Sequence, residues 1–315
     1  MEFKEAENTE VVGILRSAGF EISEPCYSRP SCFDFAARKG DNFVLMKIQS
    51  DVSTLNSRDA QELERISSSI SSAILLVSRR GREKPLEDDT VYSRYGISAI
   101  TPKTLENSVL HNTHPLMQAN PGGCYVEIDG EGVTKRRQEM GLSVGKLAQI
   151  VGVSRRTLYG YERRMGKASV QTAYNLIWAL GIPVAKPVDL YQKRKVRSRC
   201  QLLARAGGII RKNRLLFRIF KRFASCDLTA VDRAPFDFVL TIPEEDILII
   251  GGLAVRQEKD LDRRVEEILS ISRIVRARSI LLTEGNELAA RNISCLKCDE
   301  IARSSNPQDL LIKAT

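Results

Sequence analysis

Apolar and polar positions near the two ends of the chain predict the same order of elements. Toward the N terminus, a helical stretch precedes the segment Ser31–Ala36, and a charged turn and an apolar run follow it. Toward the C terminus, Ala234–Val239 repeats the triplet Phe-Asp-Phe of the first segment, with a charged turn and an apolar run after it. Self-similarity of this kind indicates a duplicated unit. We therefore predict two diverged copies of one α/β domain, at residues 1–115 and 200–315.

Each predicted copy has the order helix, three strands, helix, strand, helix, strand. Three consecutive strands joined by tight turns indicate an antiparallel part of a sheet, and helical crossovers indicate a parallel part. The predicted architecture is a mixed sheet with helices on both faces. This element order, together with the Phe-Asp-Phe segment, resembles the restriction-endonuclease-like fold.

That resemblance implies a candidate metal-dependent nuclease site in the first copy. Active members of the superfamily hold a divalent metal with an Asp on the second strand and a Glu-x-Lys or Gln-x-Lys on the third. The resemblance implies Asp34 as the first metal ligand and Lys47 as the lysine, with Gln49 as a further polar group beside them. However, Leu45 stands where the second acid is required.

The second copy departs further from the nuclease pattern. It keeps Asp237, but the following strand has Ile249–Gly251 where the acid and the lysine are needed. A Mg²⁺ site usually needs one or two carboxylates in addition to substrate oxygens. We therefore expect degenerate copies with structural aspartates and no enzymatic activity. A metal-dependent nuclease or DNA-processing protein that uses Asp34 and Lys47 is the alternative.

The segment Leu142–Glu162, between the two copies, has the pattern of a helix-turn-helix. Ala148 is small where two helices approach closely, Gly152 can adopt the left-handed conformation after the first helix, and Ser154 can cap the second. The segment resembles the helix-turn-helix of the lambda repressor and Cro class. An apolar seam shared by the two helices is predicted at Leu147, Val151, Val153, Leu158 and Tyr161.

Flanking helices complete a predicted all-α domain over residues 131–185. Gly132–Met140 supplies the first helix and Ser169–Leu180 the fourth. Upstream, residues 116–130 are predicted as a connector that contains a short strand, and residues 186–199 as a basic linker. We expect Trp178, on the fourth helix, to be packed or at an interface.

Composition and charge favour a nucleic-acid partner. With 43% hydrophobic and 28% charged residues, the chain of 315 residues has the composition of a folded globular protein. Its net charge is +9, and residues 131–222 alone hold 22 Lys and Arg against four Asp and Glu. A concentrated basic block binds polyanions because neutralising phosphates releases counterions. Solvated helix faces would give the same charge, but the helix-turn-helix favours DNA.

We therefore predict that the second helix of the motif, residues 154–164, enters the major groove. Arg155 and Arg156 lie just after its N-terminal cap, so one of the two is expected to contact a base edge. For the basic residues of 186–222, a second phosphate-binding surface and a solvated linker both remain open. The candidate DNA-binding residues are Arg136, Lys146, Ser154, Arg155, Arg156, Thr157, Tyr159 and Arg163.

Taken together, the motifs resemble a family of archaeal HTH-type transcriptional regulatory proteins. The resemblance includes Tyr125–Glu131 before the module and Val153–Glu162 within it. It implies sequence-specific binding of double-stranded DNA and regulation of transcription. An RNA-binding protein is a further alternative, although aromatic residues make up only 6% of the chain and no base-stacking platform is visible.

Other patterns argue against a cofactor, secretion or a membrane partner. No phosphate-binding glycine loop is present, and the apolar run 247–255 is about half the length that spans a bilayer. The seven cysteines are an odd number and scattered, which favours reduced thiols and a cytoplasmic location. Two weak metal-site patterns, Cys295 with Cys298 and His111 with His114 near Cys124, are expected to be structural.

Finally, we expect a homodimer, because each chain has a single DNA-reading module and such modules usually bind two half-sites about 10 base pairs apart. Two modes of pairing are open to the α/β copies. They can pair within one chain, which gives a pseudo-two-fold monomer, or between chains, which gives a true dimer. We favour pairing between chains.

Overall fold

The computed structural model describes residues 2–82, 84–120, 122–193, 227–242, 247–254, 258, 260–283 and 293–297. Two compact units form, and they are not contiguous in sequence. Unit 1 comprises Met1–Gln49, Thr54–Leu76 and Tyr191–Thr315, and unit 2 comprises Ser50–Ser53 and Val77–Leu190.

Unit 1 begins with a helix and a four-stranded part of a sheet in the order β1-β2-β3-β4. The first three strands are antiparallel. Asn56 caps helix α2 by accepting a hydrogen bond from the Asp59 backbone N–H. Strands β3 and β4 are almost continuously apolar and buried, as expected for the centre of a sheet. The elements are α1 (Glu2–Ser17), β1 (Glu21–Ile22), β2 (Phe35–Lys39), β3 (Asn42–Ile48), α2 (Ser57–Ser69) and β4 (Ala73–Val77).

Unit 2 has a strand path in the order β6-β5-β7-β8-β10, with β9 also paired to β8, and five helices. The strands are β5 (Thr90–Arg94), β6 (Ile97–Ile100), β7 (Met117–Asn120), β8 (Gly123–Ile128), β9 (Lys167–Ser169) and β10 (Ala185–Lys186). The helices are α3 (Pro102–Leu110), α4 (Gly130–Glu139), α5 (Val144–Val151), α6 (Arg155–Glu162) and α7 (Val170–Leu180).

The C-terminal part of unit 1 contains a second sheet in the order β11-β12-β13-β14-β15. Strands β11, β12 and β13 are antiparallel, whereas β13, β14 and β15 are parallel, as the mixed-sheet prediction requires. The elements are β11 (Asp227–Ala230), β12 (Phe238–Ile242), β13 (Ile247–Ala254), α8 (Leu261–Val275), β14 (Arg278–Thr283) and β15 (Ser294–Lys297). The predicted helix at 212–224 lies outside the described residues.

The two Phe-Asp-Phe segments contact each other within unit 1. The rings of Phe33 and Phe236, which are equivalent positions of the repeated sequence, have centroids 6.3 Å apart. Helix α2 packs on β11 and β12, and helix α8 packs on β2. A residue that meets its own equivalent lies near a two-fold axis. This contact is the one expected if the two predicted copies form a pseudo-two-fold pair within one chain.

Polar contacts across this pair are also reciprocal. Glu267 of α8 accepts hydrogen bonds from the backbone N–H groups of Tyr27 and Ser28, both at 2.8 Å. Conversely, Glu62 of α2 accepts one from the backbone N–H of Asp232 at 2.7 Å. The preference for pairing between chains is wrong for these surfaces, because one chain already buries them against each other.

The prediction of a helix between β4 and β6 is wrong. Gly81 and Pro85 interrupt the helical pattern there. The residues that follow form strand β5 instead. Strands β5 and β6 make a hairpin in which Arg94 pairs with Ile97. Its two turn residues, Tyr95 and Gly96, have φ values of 51° and 75°, as a type I′ turn requires.

The helix-turn-helix domain is not purely helical, which corrects the all-α prediction. Strand β9 follows the second helix of the motif and pairs with β8, which also pairs with β10. Val126 and Ile128 of β8 belong to the same buried core as the helices of the motif. The predicted connector is therefore part of the domain's core. None of the helices in the described part of the chain combines the length and apolar character needed to cross a bilayer.

We predict that Cys32 reports on the packing of the pseudo-two-fold pair. Its thiol is fully buried, burial raises its pKa, and its backbone N–H donates to the Arg233 carbonyl at 2.9 Å. The variant Phe236→Ala removes the ring contact and should speed alkylation of Cys32 by iodoacetamide about tenfold or more, because opening exposes the thiol. Site-resolved mass spectrometry measures the rate. Alkylation of half-buried Cys124 in unit 2 should be unchanged, and an unchanged rate at Cys32 would contradict the prediction.

Candidate nucleic-acid interface

Local backbone chemistry fixes the two helices of the motif as predicted. Ser143 caps α5 by accepting a hydrogen bond from the Lys146 backbone N–H. Gly152 ends α5 in the left-handed conformation at φ 80°. Ser154 caps α6 by accepting from the Thr157 backbone N–H at 3.0 Å. The turn between the helices is therefore set by two residues whose backbone or side chain suits it.

The apolar seam holds α5 and α6 at a fixed angle. Leu147, Val151 and Leu158 are at most 2% exposed, and Tyr161 is 8% exposed. Burial also raises the pKa of the Tyr161 phenol. Val153 lies partly buried against the same core. The opposite side of α6 is consequently presented to solvent, because helix positions three or four residues apart share a face.

Most of the predicted DNA-binding residues lie on exposed surface. Arg155, Tyr159 and Arg163 follow one another at four-residue spacing along one face of α6, and the Arg163 guanidinium lies over the Tyr159 ring, 4.8 Å from its centroid. Arg156 and Thr157 are also exposed on the first turn, and Lys146 is exposed on α5.

Two of the predicted residues are already engaged. Arg136 is half-buried, and its Nε donates to the carbonyl of Leu180 at the end of α7 at 3.0 Å. A further ion pair joins Arg136 to Glu139 at 3.2 Å. The Ser154 hydroxyl is 2.8 Å from the Thr157 hydroxyl in addition to its capping bond. Both residues therefore stabilise the helices that carry the exposed arginines.

Arg155 and Arg156 have different surroundings although they are adjacent. A Cβ atom built on Gly145 of α5 would lie 2.3 Å from the Arg155 Nε. The Arg155 guanidinium therefore lies directly over the first turn of α5, in space that glycine leaves open. Arg156 is exposed on the same turn of α6.

A buried ion pair, missed in the sequence, anchors the C-terminal end of α6. The Arg137 Nε is 2.6 Å from Glu162 Oε1, and Arg137 NH2 is 3.2 Å from Glu162 Oε2. The remaining Arg137 NH1 donates to the Leu142 carbonyl in the turn before α5 at 2.9 Å. Arg137 thus joins α4, the turn and α6. The sequence gives one indication of this ion pair, because Glu162 is an acidic residue within an otherwise basic segment.

The close approach of α4 and α6 also explains why position 130 is a glycine. A Cβ atom on Gly130 would lie 2.5 Å from the carbonyl oxygens of both Tyr161 and Glu162. Both oxygens belong to the backbone and cannot move aside as a side chain could, so position 130 does not admit a side chain. Gly130 belongs to the segment 125–131 that carries part of the family resemblance.

The candidate nuclease site of unit 1 is occupied by its own protein contacts. The Lys47 Nζ is 3.6 Å from Asp34 Oδ1 and donates to the Ser31 carbonyl at 3.1 Å. The other carboxylate oxygen of Asp34 accepts from the Ile48 backbone N–H at 2.7 Å. Asp34 and Lys47 are each 5% exposed, and Leu45 is fully buried. The candidate site therefore contributes the carboxylate of Asp34, and the charge of this group is already balanced by the Lys47 ammonium.

Asp237 accepts a backbone hydrogen bond that corresponds to the one accepted by Asp34. Asp237 Oδ2 accepts from the Leu253 backbone N–H at 2.6 Å, as Asp34 does from Ile48. The strand register pairs Phe35 with Met46 and Phe238 with Gly251. Gly252 therefore corresponds to Lys47, one residue after the segment chosen from the sequence.

A different cation neutralises Asp237. Arg264 of α8 is fully buried and bonds to Asp237, and its NH2 lies 3.3 Å from the Cβ position of Gly252. Ile268 Cδ1 at 2.9 Å and Leu281 Cδ1 at 3.0 Å lie closer still, so these side chains and the Arg264 guanidinium together take up the space of a side chain at position 252. Arg29, from the N-terminal part of unit 1, contributes a second ion pair to Asp237 at 2.9 Å.

The weak metal-site pattern of His111, His114 and Cys124 does not form a cluster of metal ligands. In the described part of the chain, no three His, Cys, Asp or Glu side chains lie close enough to hold a metal ion. The His114 Nε2 is 3.1 Å from the Asn112 side-chain oxygen. Cys298 and the basic residues from Arg194 to Arg222 lie outside the described residues.

Comparisons with known proteins agree with this geometry. A protein of Methanocaldococcus jannaschii is 30% identical over 313 residues, which cover 96% of this chain and 94% of its own length. A protein of Methanosarcina mazei is 30% identical over 312 residues, with the same coverages. Both carry the name "Putative HTH-type transcriptional regulatory protein". The chain belongs to this family.

Within this HTH-type regulator chain, two segments match known domain families. Residues 4–115 match the PD-(D/E)XK superfamily domain, and residues 133–186 match the helix-turn-helix family. Among solved structures, the SinR protein/SinI protein complex matches 30% of this chain and 92% of its own at 20% identity. Its TM-score of 0.16 carries no structural argument.

We predict that the buried ion pair of this HTH-type module is required for its stability. Glu162→Gln leaves the Arg137 charge buried without its carboxylate, so it should cost about 3–5 kcal/mol. Glu139→Gln breaks the exposed pair with Arg136 and should cost at most about 1 kcal/mol. Chemical denaturation followed by circular dichroism compares the two variants. Equal losses of stability would contradict the prediction.

Proposed function

We propose that this protein is a sequence-specific double-stranded DNA-binding regulator of transcription, acting in the cytoplasm with α6 in the major groove. The observation that carries the proposal is the exposed cationic face of α6, with Arg155, Arg156 and Arg163 opposite a fully buried seam. A helix held in this way can enter the major groove, which admits an α-helix, and present side chains to base edges. The names of the relatives support the same function.

Within this function, we assign different roles to the two arginines. Arg155 lies over the N-terminal turn of α5, beside Gly145, where a guanidinium can reach a backbone phosphate next to a helix N terminus. Arg156, which is exposed on the first turn of α6, is proposed to read a base. A bidentate contact between Arg and guanine discriminates against other bases by about 1–3 kcal/mol. Lys146, Thr157, Tyr159 and Arg163 are proposed as flanking contacts.

We predict that the two arginine variants affect DNA binding differently. Arg156→Ala should reduce the preference for the selected operator over random duplex by about tenfold or more, because a base contact is lost. Arg155→Ala should weaken binding to both duplexes equally and reduce the salt dependence of affinity by about one phosphate contact. The operator comes from selection on a random duplex library, and fluorescence anisotropy measures both affinities.

A second-site variant separates this effect from folding. Gly145→Ala should stabilise α5 by up to about 1 kcal/mol, because alanine favours the helix over glycine. The same methyl group displaces the flexible end of Arg155. A variant that is more stable yet binds all duplexes more weakly supports the assignment. The assignment fails if neither arginine variant changes affinity or specificity.

We further propose that residues 200–315 contain a second, diverged copy of the endonuclease-like domain, and that neither copy is catalytic. Equivalent hydrogen bonds around Asp34 and Asp237 support the common origin. The burial of Lys47 and Arg264 against these carboxylates supports a structural role, because a buried carboxylate needs a partner to remain charged. In this proposal the domains at 1–115 and 200–315 serve assembly or sensing around the DNA-binding domain at 131–185.

We predict no nuclease activity. Purified protein with Mg²⁺ or Mn²⁺ should leave linear, supercoiled and branched DNA intact, because one neutralised carboxylate cannot replace the usual metal ligands. Agarose gels with a commercial nuclease as positive control measure the outcome. Cleavage that disappears in Asp34→Asn and in Lys47→Ala, each purified identically, would establish the nuclease instead.

A further inference from the structure

One helix of the DNA-binding domain presents an apolar face that is not covered in the described part of the chain. On α7, Tyr174 is 63% exposed and Trp178 is 78% exposed, and Val170 and Ile177 are each 40% exposed. Their spacing of four, seven and eight residues from Val170 places all four on one side of the helix. We call these four residues the α7 stripe.

Residues on the opposite side of α7 account for its attachment to the domain. Ala173, Leu176 and Leu180 are buried in the core, and Asn175 donates to the carbonyl of Val151 at 3.1 Å. The C-terminal end is fixed as well, because Gly181 closes it in the left-handed conformation and Arg136 binds the carbonyl of Leu180. The α7 stripe is thus held on a rigid element and contributes nothing to the core that positions α6.

We infer that the α7 stripe is the surface through which two copies of this chain associate on DNA. This inference rests on the proposed DNA-binding function and names the contact that would pair two modules. Three observations select a second copy as the partner: the charge of the helix, the prior pairing of the α/β surfaces, and the single DNA-reading module in each chain.

Charge is the first observation. The sequence of α7 contains no Asp, Glu, Lys or Arg, although 28% of the chain is charged. Exposed arginines and lysines elsewhere in the basic domain would repel an identical surface. An uncharged stripe avoids this repulsion and is complementary to itself, as a two-fold contact requires. A strongly acidic or basic partner would gain no charge pairing there.

The second observation is that unit 1 pairs its own α/β surfaces. The contact between Phe33 and Phe236 buries within one chain the faces that would otherwise join two chains. The third observation is that the described part of the chain contains one helix-turn-helix, at the segment that matches this family, so two modules on a two-fold operator must come from two chains. The α7 stripe is the surface of this module suited to bring them together.

The size of the stripe sets the strength of the contact. Aromatic side chains bury about 150–250 Å² each, so the two partly exposed aromatics and two aliphatic residues supply less than the roughly 800 Å² per partner of a standard interface. Association of the free chain should therefore be weak. A palindromic duplex that holds two chains side by side should strengthen it, because the second contact becomes intramolecular.

Sedimentation equilibrium of the full chain tests the inference. We expect a reversible equilibrium between 35.3 kDa and twice that mass, shifted to the dimer by a palindromic duplex. Trp178→Glu should weaken association about tenfold or more, because aromatic anchors carry most of an interface's energy. Met140→Glu is the matched control, since Met140 is an exposed apolar residue of the same domain outside the stripe. This control should associate as the wild type does.

Trp178 also provides its own readout, because it is the single tryptophan of the chain. Its emission should shift to shorter wavelength, and its quenching by acrylamide should fall, as protein concentration rises. Trp178 that is already shielded in the dilute monomer would show that another part of the same chain covers the stripe. That result overturns the inference, as would a wild type that stays monomeric on a palindrome or a Trp178→Glu variant that associates normally.

The same variant distinguishes this inference from the proposed function. Trp178→Glu should bind a duplex with one half-site as tightly as the wild type does, because it leaves α6 unchanged. If the wild type associates through α7 but binds no duplex, the proposed function fails while the α7 contact stands. If the wild type binds duplexes but Trp178→Glu dimerises on the palindrome as the wild type does, only the α7 inference fails.

Discussion

The buried ion pair between Arg137 and Glu162 is the contact on which the position of the recognition helix depends. Its two charges are almost completely removed from water, so each requires the other. Arg137 also binds the carbonyl of Leu142, so a single guanidinium joins the first helix, the turn before α5 and the end of α6. The apolar seam fixes the angle between α5 and α6, and the ion pair fixes how far α6 extends along α4.

The α/β part of the chain uses buried charge in a comparable way. The Asp of each Phe-Asp-Phe segment forms an ion pair with a buried cation, which is Lys47 on the strand in one case and Arg264 on the helix in the other. The exchange is possible because Gly252 vacates the position of the lysine. Both aspartates also accept a hydrogen bond from the backbone of the neighbouring strand.

Much of the DNA-binding domain could be predicted from sequence, because its constraints are local. A left-handed glycine, two serine caps and a seam of apolar positions each depend on residues within one or two turns of a helix. The pairing of β8 with β9 could not be predicted, because it joins distant residues such as Glu127 and Lys167, about 40 positions apart. The same limit applies to Arg137 and Glu162, which lie 25 residues apart in sequence.

Errors in the α/β part have similar causes. The sequence predicts a helix between β4 and β6, where the structure has strand β5, and the turn at Tyr95 and Gly96 decides in favour of a hairpin. The register of Gly252 was misjudged by one residue because apolar strands such as 247–254 offer no internal marker. Whether the two Phe-Asp-Phe segments pair within a chain or between chains depends on tertiary packing that no local pattern reports.

Genome-wide mapping of bound DNA in living cells tests whether α6 reads DNA sequence. If it does, the bound DNA should form discrete sites that share a short motif containing guanine, and these sites should be lost when Arg156 is replaced by Ala although the protein remains folded and abundant. Occupancy spread evenly over the genome, or an unchanged set of sites in the Arg156→Ala strain, would contradict it.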